Sequence, residues 1–287
     1  GRMDDTKAID LDLSHLRKLQ LELLELLLEF DRICKTAGIR YVLSSGTLLG
    51  AVRHKGFIPW DDDMDVDMLR PDYEKFCQVV DQFIDHKRFF FQSMDTDVGY
   101  RWVFSKLRRK DTEYIRVWQA HLGQKTGLCI DVFPLDEACD NKYEQWLRFR
   151  WASWCRKILW SPVGARQCSS VVARYFFWFL SRIPRDWVLA WYRKIVLCAR
   201  TPMESARLVS YNADDVLGKQ YQRAWFEETV NLEFEGHQFP APQGYDEVLK
   251  LLYGDYLCLP PLSEQKGIAT ACAIRFSDGE TLGGSRS

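Results

Sequence analysis

The sequence predicts an α/β (α+β) fold, a mixed sheet flanked by helices with a helical accessory lobe. Three observations lead there. A long run of apolar residues at helical spacing opens the chain, short strand-like and helical runs then alternate to about residue 140, and a Trp- and Arg-rich stretch of helical pattern follows. At 287 residues the chain exceeds what one small core needs, so either one large domain or a core carrying a substantial accessory part is expected.

From Ile9 to Ala37, Leu16, Leu19, Leu23, Leu26, Leu27 and Phe30 recur between charged residues, which predicts a long amphipathic helix stopped by Gly38. Ile39 to Leu43 reads as a short strand leading into the small-residue turn Ser44-Ser45-Gly46-Thr47, after which Leu48 to Val52 resumes a helical pattern. Asp63, Asp65 and Asp67 alternate with Met64, Val66 and Met68, a period of two that predicts a strand. Arg70 to Asp85 reads as a helix, with Pro71 in its first turn. Two more strands are expected over Arg101 to Leu107 and Leu128 to Phe133, the second stopped by Pro134. Between Gln145 and Arg200 seven Trp mix with many Arg and Lys, and Asp186 is the one acid; two or three helices broken near Pro162 and Pro184 are expected. Phe234 to Phe239 suggests a hairpin, Tyr245 to Tyr253 a helix capped by Gly254, and Gly283 to Ser287 a flexible tail.

Composition excludes several classes. Apolar content of 47% supports a packed core and excludes a disordered chain. A net charge of −1 gives no overall reason to expect a nucleic acid partner. Nine Cys without a CxxC pair fit neither a disulfide framework nor a zinc site, so reduced thiols and a cytoplasmic location are expected. No secretory signal is read at the N-terminus, and the apolar run Val171 to Leu180, interrupted by Arg174, is far too short to span a bilayer.

Chemistry concentrates in Ile58-Pro59-Trp60-Asp61-Asp62-Asp63-Met64-Asp65-Val66-Asp67. So many acids so close together are costly unless a cation sits among them. On a strand, Asp61, Asp63 and Asp65 would share one face and Asp62 the other. Oxygen ligands without nearby Cys or His favour magnesium or manganese over zinc. A calcium loop of the EF-hand type would also begin with Asp61, Asp63 and Asp65, but it fails at Val66, where the turn requires Gly, and at Asp72, where Glu is required. A merely solvated acidic face is the plainer alternative. Against it stand the upstream turn, which could offer backbone N–H groups to phosphate at a helix start, and the cations Arg53, His54 and Lys55. Asp131, alone in the apolar run Cys129-Ile130-Asp131-Val132-Phe133, needs a partner; beside the Asp63/Asp65 strand it would be a third carboxylate and a general base. Capping or a buried ion pair is the alternative for it.

Residues 43–65, Leu-Ser-Ser-Gly-Thr-Leu-Leu-Gly-Ala-Val-Arg-His-Lys-Gly-Phe-Ile-Pro-Trp-Asp-Asp-Asp-Met-Asp, are similar to the signature of the LicD family, whose relatives include the fukutin group. Lys106-Leu107-Arg108-Arg109, Ile130-Asp131-Val132-Phe133-Pro134-Leu135-Asp136 and Tyr253-Gly254-Asp255-Tyr256 extend the resemblance. It implies a nucleotidyltransferase-like fold and a metal-dependent phosphotransferase. The donor would be CDP-choline or a related CDP-alcohol, and the acceptor a glycan or lipid-linked glycan such as teichoic acid or lipopolysaccharide. By position it implies Asp63, Asp65 and Asp131 as catalytic, Asp61, Asp63, Asp65 and Asp131 as ligands of magnesium or manganese, and Ser45, Gly46, Thr47, Arg53, Trp60 and Lys106 on the donor. Trp60, Tyr100, Trp102 or Trp118 could face a quaternary ammonium. The chain departs from many relatives near its end, having Lys266 and no His beyond His237. Two other readings use the same carboxylates or none: nucleoside monophosphate transfer to a small molecule, and a non-catalytic binding protein.

The expected organisation is a core with the long N-terminal helix over 1–140, the Trp/Arg-rich lobe over 141–205, and a segment over 206–287 that completes the catalytic unit. Interfacial helices combine Arg and Lys with Trp and Phe, so peripheral contact of the lobe with an inner membrane face is expected; ordinary packing helices with a solvated basic side are the alternative.

Overall fold

The computed structural model describes residues 4–197, 205–212, 219–267 and 270–284. Helix α1 (Leu13–Ala37) is capped by the Asp12 carboxylate, which accepts from the His15 N–H, and it ends at Gly38 in the left-handed region (φ 66). It starts four residues later than expected. The residues before the cap run extended, with the Ile9 amide donating to Ala271 O at 2.8 Å.

The central sheet runs β1 (Val42–Leu43), β2 (Asp65–Leu69), β6 (Cys129–Glu137), β4 (Ser105–Arg109), β3 (Phe89–Gln92), with β7 (Arg207–Val209) also on β6 and β8 (Tyr221–Gln222) on β7. The β2–β6 pair is parallel and the other pairs are antiparallel, which makes the sheet mixed. Helix α2 (Ser45–His54) follows β1, and α3 (Arg70–Phe83) follows β2 with Pro71 in its first turn. The buried stripe of α1, from Leu19 to Ile33, packs into the same core as Val66, Met68, Leu107, Ile130 and Val132 of the sheet.

A smaller sheet joins β5 (Glu113–Arg116), β11 (Ala271–Arg275) and β12 (Thr281–Gly283), so the C-terminal segment returns to the first half of the chain. Strands β9 (Thr229–Phe234) and β10 (His237–Pro242) form the expected hairpin, longer than read, and α7 (Tyr245–Tyr253) ends at Gly254 as expected. The accessory helices are α4 (Lys142–Gln167), α5 (Val171–Leu180) and α6 (Arg185–Val196).

Several expectations need correcting. Strand β6 does not stop at Pro134: on one side that residue registers with Met68, and it falls between the stretch paired with β4 and the one paired with β7, where no ladder bond asks for its missing N–H. Helix α4 likewise runs through Pro162; the carbonyl of Ile158, four residues back, accepts instead from the Ser161 hydroxyl at 2.5 Å. Strand β4 begins at Ser105, not Arg101. Of the expected tail, Gly283 belongs to β12, paired with Ala273, and residues 285–287 lie outside the described residues, as do 198–204 at the end of the lobe.

Candidate active site

The acids are gathered where the parallel pair β2–β6 begins. Asp65 is the register partner of Asp131 across that pair, and Asp131 is the register partner of Lys106 on β4, so the three side chains form a row across neighbouring strands. Lys106 Nζ donates to Asp131 Oδ1 at 2.5 Å. The start of α2 is bonded to both backbone groups of Asp65: the Thr47 hydroxyl accepts its N–H at 2.9 Å, and the Ser44 N–H donates to its carbonyl at 3.1 Å. The small-residue turn thereby places a helix N-terminus over the acidic strand. Ser45, in the left-handed region at φ 48, lies beside it with its hydroxyl 3.2 Å from that of Ser44.

Strand β2 is shorter than expected. It begins at Asp65, so Asp61, Asp62 and Asp63 lie in the preceding loop rather than alternating on a strand. The buried Gln20 of α1 holds that loop by donating to the carbonyls of Ile58 and Asp61. Freed from strand alternation, Asp61, Asp62 and Asp63 each offer an oxygen within 4.8 Å of one another. Asp62, expected on the opposite face, joins this group and accepts from the Tyr114 hydroxyl at 3.2 Å. Gly46 explains the fit above: a Cβ there would stand 2.9 Å from Asp61 Oδ2, so the carboxylate lies directly against the first turn of α2.

Crowding shows in the proton affinities. Burial, then the charges of Asp63 and Asp62, pushes Asp61 up to about 8. Burial, then Asp63 and Asp131, raises Asp65 well above the ordinary carboxylate range, and burial raises Asp67 to about 7 while the Ser44 hydroxyl bonded to it at 2.6 Å works the other way. For Asp61 and Asp65, burial and neighbouring carboxylates both oppose ionisation, so a cation among them would favour their charged forms. The donor set fits magnesium or manganese, since it is all hard carboxylate oxygen and the exposed Asp63 leaves the loop open to solvent.

Cations line the other wall. Burial opposes the charge of Arg116, but Asp131 and then Tyr114 lift its pKa above the ordinary guanidinium value. A cleft of about 550 Å³, partly open to solvent, is lined by Trp102, Phe104, Lys106, Tyr114, Arg116 and Asp131 among others. Tyr114 and Arg116 were missed in the sequence, although the aromatic and β-branched pair Tyr114-Ile115 offered a strand signal for what is β5. Tyr253, at the end of α7, is also raised by burial and then by Asp65, Asp61 and Asp63.

Two residues expected on the donor, Arg53 and Trp60, make contacts within the protein. The Arg53 guanidinium donates to the carbonyls of Tyr256 and Cys258, at 2.8 and 3.4 Å, and so ties down the segment after α7. Trp60 stands edge-on to His54, ring centroids 6.2 Å apart, with its carbonyl against Gly267. Among the aromatic candidates, Trp102 lines the cleft; Tyr100 is fully buried, its hydroxyl donating to Phe104 O.

A carboxylate cluster at the mouth of a parallel strand pair, beneath a helix that starts from a glycine-hydroxyl turn, defines an enzyme domain of the nucleotidyltransferase type. Residues 38–172 match the family described as LicD/FKTN/FKRP, nucleotidyltransferase domain. Through this domain the chain is similar to the LicD family. It is 29% identical over 268 residues, 88% of the chain and 94% of the relative, to the lipopolysaccharide cholinephosphotransferase LicD of Haemophilus influenzae. An uncharacterized Rickettsia typhi protein is 42% identical over 66 residues, 23% of the chain and 21% of that protein. The human ribitol 5-phosphate transferase FKRP is 48% identical over 40 residues, which span 14% of the chain and 8% of that protein. Among the described residues no helix is long and apolar enough to cross a membrane, and none of the eight described cysteines is in a disulfide.

Proposed function

We propose that the protein transfers phosphocholine, or another phosphorylated alcohol, from a CDP-linked donor to a sugar hydroxyl of a cell-surface glycan such as lipopolysaccharide or teichoic acid. The observation that carries this reading is the row Asp65–Asp131–Lys106 beside the Asp61–Asp63 cluster, under the start of α2. The similarity to a lipopolysaccharide cholinephosphotransferase over most of both chains supports the choice of substrates.

Asp61, Asp63 and Asp65, with Asp131, would hold magnesium or manganese, which supplies charge neutralisation on the donor diphosphate and its leaving phosphate. The amide end of α2, at Gly46 and Thr47, faces that anion with its positive dipole end. Asp131, oriented by the Lys106 hydrogen bond to its Oδ1, accepts the acceptor's hydroxyl proton through its other oxygen. The freed alkoxide oxygen attacks the phosphorus that bears the alcohol, the bond to the bridging oxygen breaks, and CMP departs with that electron pair. Arg116, on the wall of the cleft, would stabilise the charge that builds on the transferred group.

The test is a screen of CDP-choline, CDP-ethanolamine, CDP-ribitol, CDP-glycerol, CTP and ATP with and without magnesium, reading thermal shift and released nucleotide. Metal-dependent binding of one CDP-alcohol with CMP release is expected, and both Asp63→Ala and Asp65→Ala should abolish it. Pyrophosphate release from CTP or ATP would replace this reading with nucleotidyl transfer, and turnover surviving both substitutions would remove the site.

A further inference from the structure

The accessory helices leave an apolar surface uncovered. Along α5, Val172 is 79%, Tyr175 70% and Phe179 67% exposed, and Leu180 is that helix's buried residue. Trp187, at the start of α6, is 73% exposed, and the half-exposed rings of Trp151 and Trp191 meet across α4 and α6 with centroids 6.1 Å apart. A helix whose large apolar side chains point outward on nearly every side is poorly matched to water.

Charge identifies what covers it. Residues 145–197 hold ten Arg and Lys and the single acid Asp186. Cations lie over the rings themselves: Arg182 over Trp178 at 4.5 Å, Lys157 over Trp154 at 5.0 Å and Arg150 over Trp146 at 5.6 Å. Rings with apolar bodies beside cations with anion-seeking heads suit the boundary between lipid tails and phosphate headgroups. A second copy of the chain would bring like charges together, and no described helix is built to cross a bilayer.

We propose that α5, with the rings of α4 and α6 beside it, docks the protein in plane on the surface of an anionic lipid bilayer. The docked lobe also walls a groove of about 1010 Å³ that contains Lys157, Arg156, Trp102 and Phe104, and it shares the last two with the catalytic cleft. If the proposed function holds, docking presents that groove to an acceptor carried on lipid. The docking itself does not depend on that reading.

The test is flotation of the full chain with vesicles of phosphatidylcholine alone or mixed equally with phosphatidylglycerol, alongside tryptophan emission. The chain should float with the mixed vesicles, with a blue shift, and much less with phosphatidylcholine. The triple variant Val172→Glu/Tyr175→Glu/Phe179→Glu should bind about tenfold less or weaker still, while lipid-free thermal unfolding and CDP-alcohol hydrolysis stay unchanged because these side chains are exposed. If the triple variant does not fold, Arg174→Glu/Arg182→Glu tests the charge alone and should cut binding to the mixed vesicles. Absence of flotation, equal flotation on both vesicles, or full binding by a folded variant would overturn the proposal. So would a lipid-free dimer that the triple variant converts to monomer, which would make the face a self-association surface.

Discussion

A steric condition on the acidic cluster falls on Gly46. A methyl group there would stand 2.9 Å from Asp61 Oδ2, and the carboxylate must move because the helix backbone cannot. Gly46→Ala should therefore fold with nearly unchanged stability yet lose activity by roughly a hundredfold, the scale expected when a reacting group shifts by about an ångström. Steady-state kinetics beside a thermal melt would check it. The same crowded acids set a pH dependence. The folded-state pKa of Asp61 lies above its ordinary value of 3.8, at about 8, so the folded chain holds a proton that the unfolded chain releases, and stability is lost as pH rises through that interval. In EDTA the melting temperature should fall from about pH 5 to about pH 8, less steeply in Asp61→Asn, and magnesium should raise it more at the higher pH. An equal magnesium effect at both pH values would contradict the assignment of Asp61 to the cation. The pairing of Asp65 with Asp131 was legible in the sequence because acids among apolar residues need a partner. Asp62 was misread because its direction depends on where β2 begins, and Arg116 was missed because its partners are distant in sequence.

Between elements, one buried ion pair joins α3 to β6. Arg70 donates twice to Asp136, at 2.7 and 2.8 Å, and Asp136 is 2% exposed. Removing one partner leaves the other charged and buried, so Asp136→Ala should cost about 3–5 kcal/mol, whereas the double variant Arg70→Met/Asp136→Leu should cost much less. Chemical denaturation of the three proteins measures this directly, and equal losses in the single and double variants would show that packing, not charge, is what the site needs. Elements with strong local signals, such as α1 with its leucine stripe and Gly38 stop, α3 with Pro71, and α7 with Gly254, were readable within a few residues. Pro134 and Pro162 misled because a proline breaks a strand or helix only where its missing N–H or its ring meets a demand. Here a gap between two ladder partners and the Ser161 hydroxyl remove that demand.

At the scale of the whole molecule, the accessory helices do not keep a core to themselves. The cluster that buries Phe149, Leu159, Leu189 and Tyr192 also contains Met94, Tyr100, Val209 and Tyr211, contributed by segments on either side of the lobe in sequence. Arg185, at the start of α6, donates to the carbonyls of Met94, Asp97 and Tyr100 at 2.7, 2.8 and 2.9 Å, and these belong to the segment that leads into the Trp102 and Phe104 wall of the cleft. A shift in composition near residue 141 is visible in the sequence, but the packing across it is not, because contacts between distant segments leave no periodic signal. A core shared in this way should melt as one unit. Seven of the eleven Trp lie between Trp146 and Trp191, so tryptophan emission reports mainly on the lobe, whereas far-ultraviolet circular dichroism reports on the whole chain. The two thermal transitions should coincide. Arg185→Met, which strips three carbonyls of their donor, should lower both together by roughly 2–4 kcal/mol and should weaken turnover through the displaced wall. Separate midpoints, or a variant that lowers the emission transition alone, would show that the lobe folds independently and that its tie to the cleft is not structural.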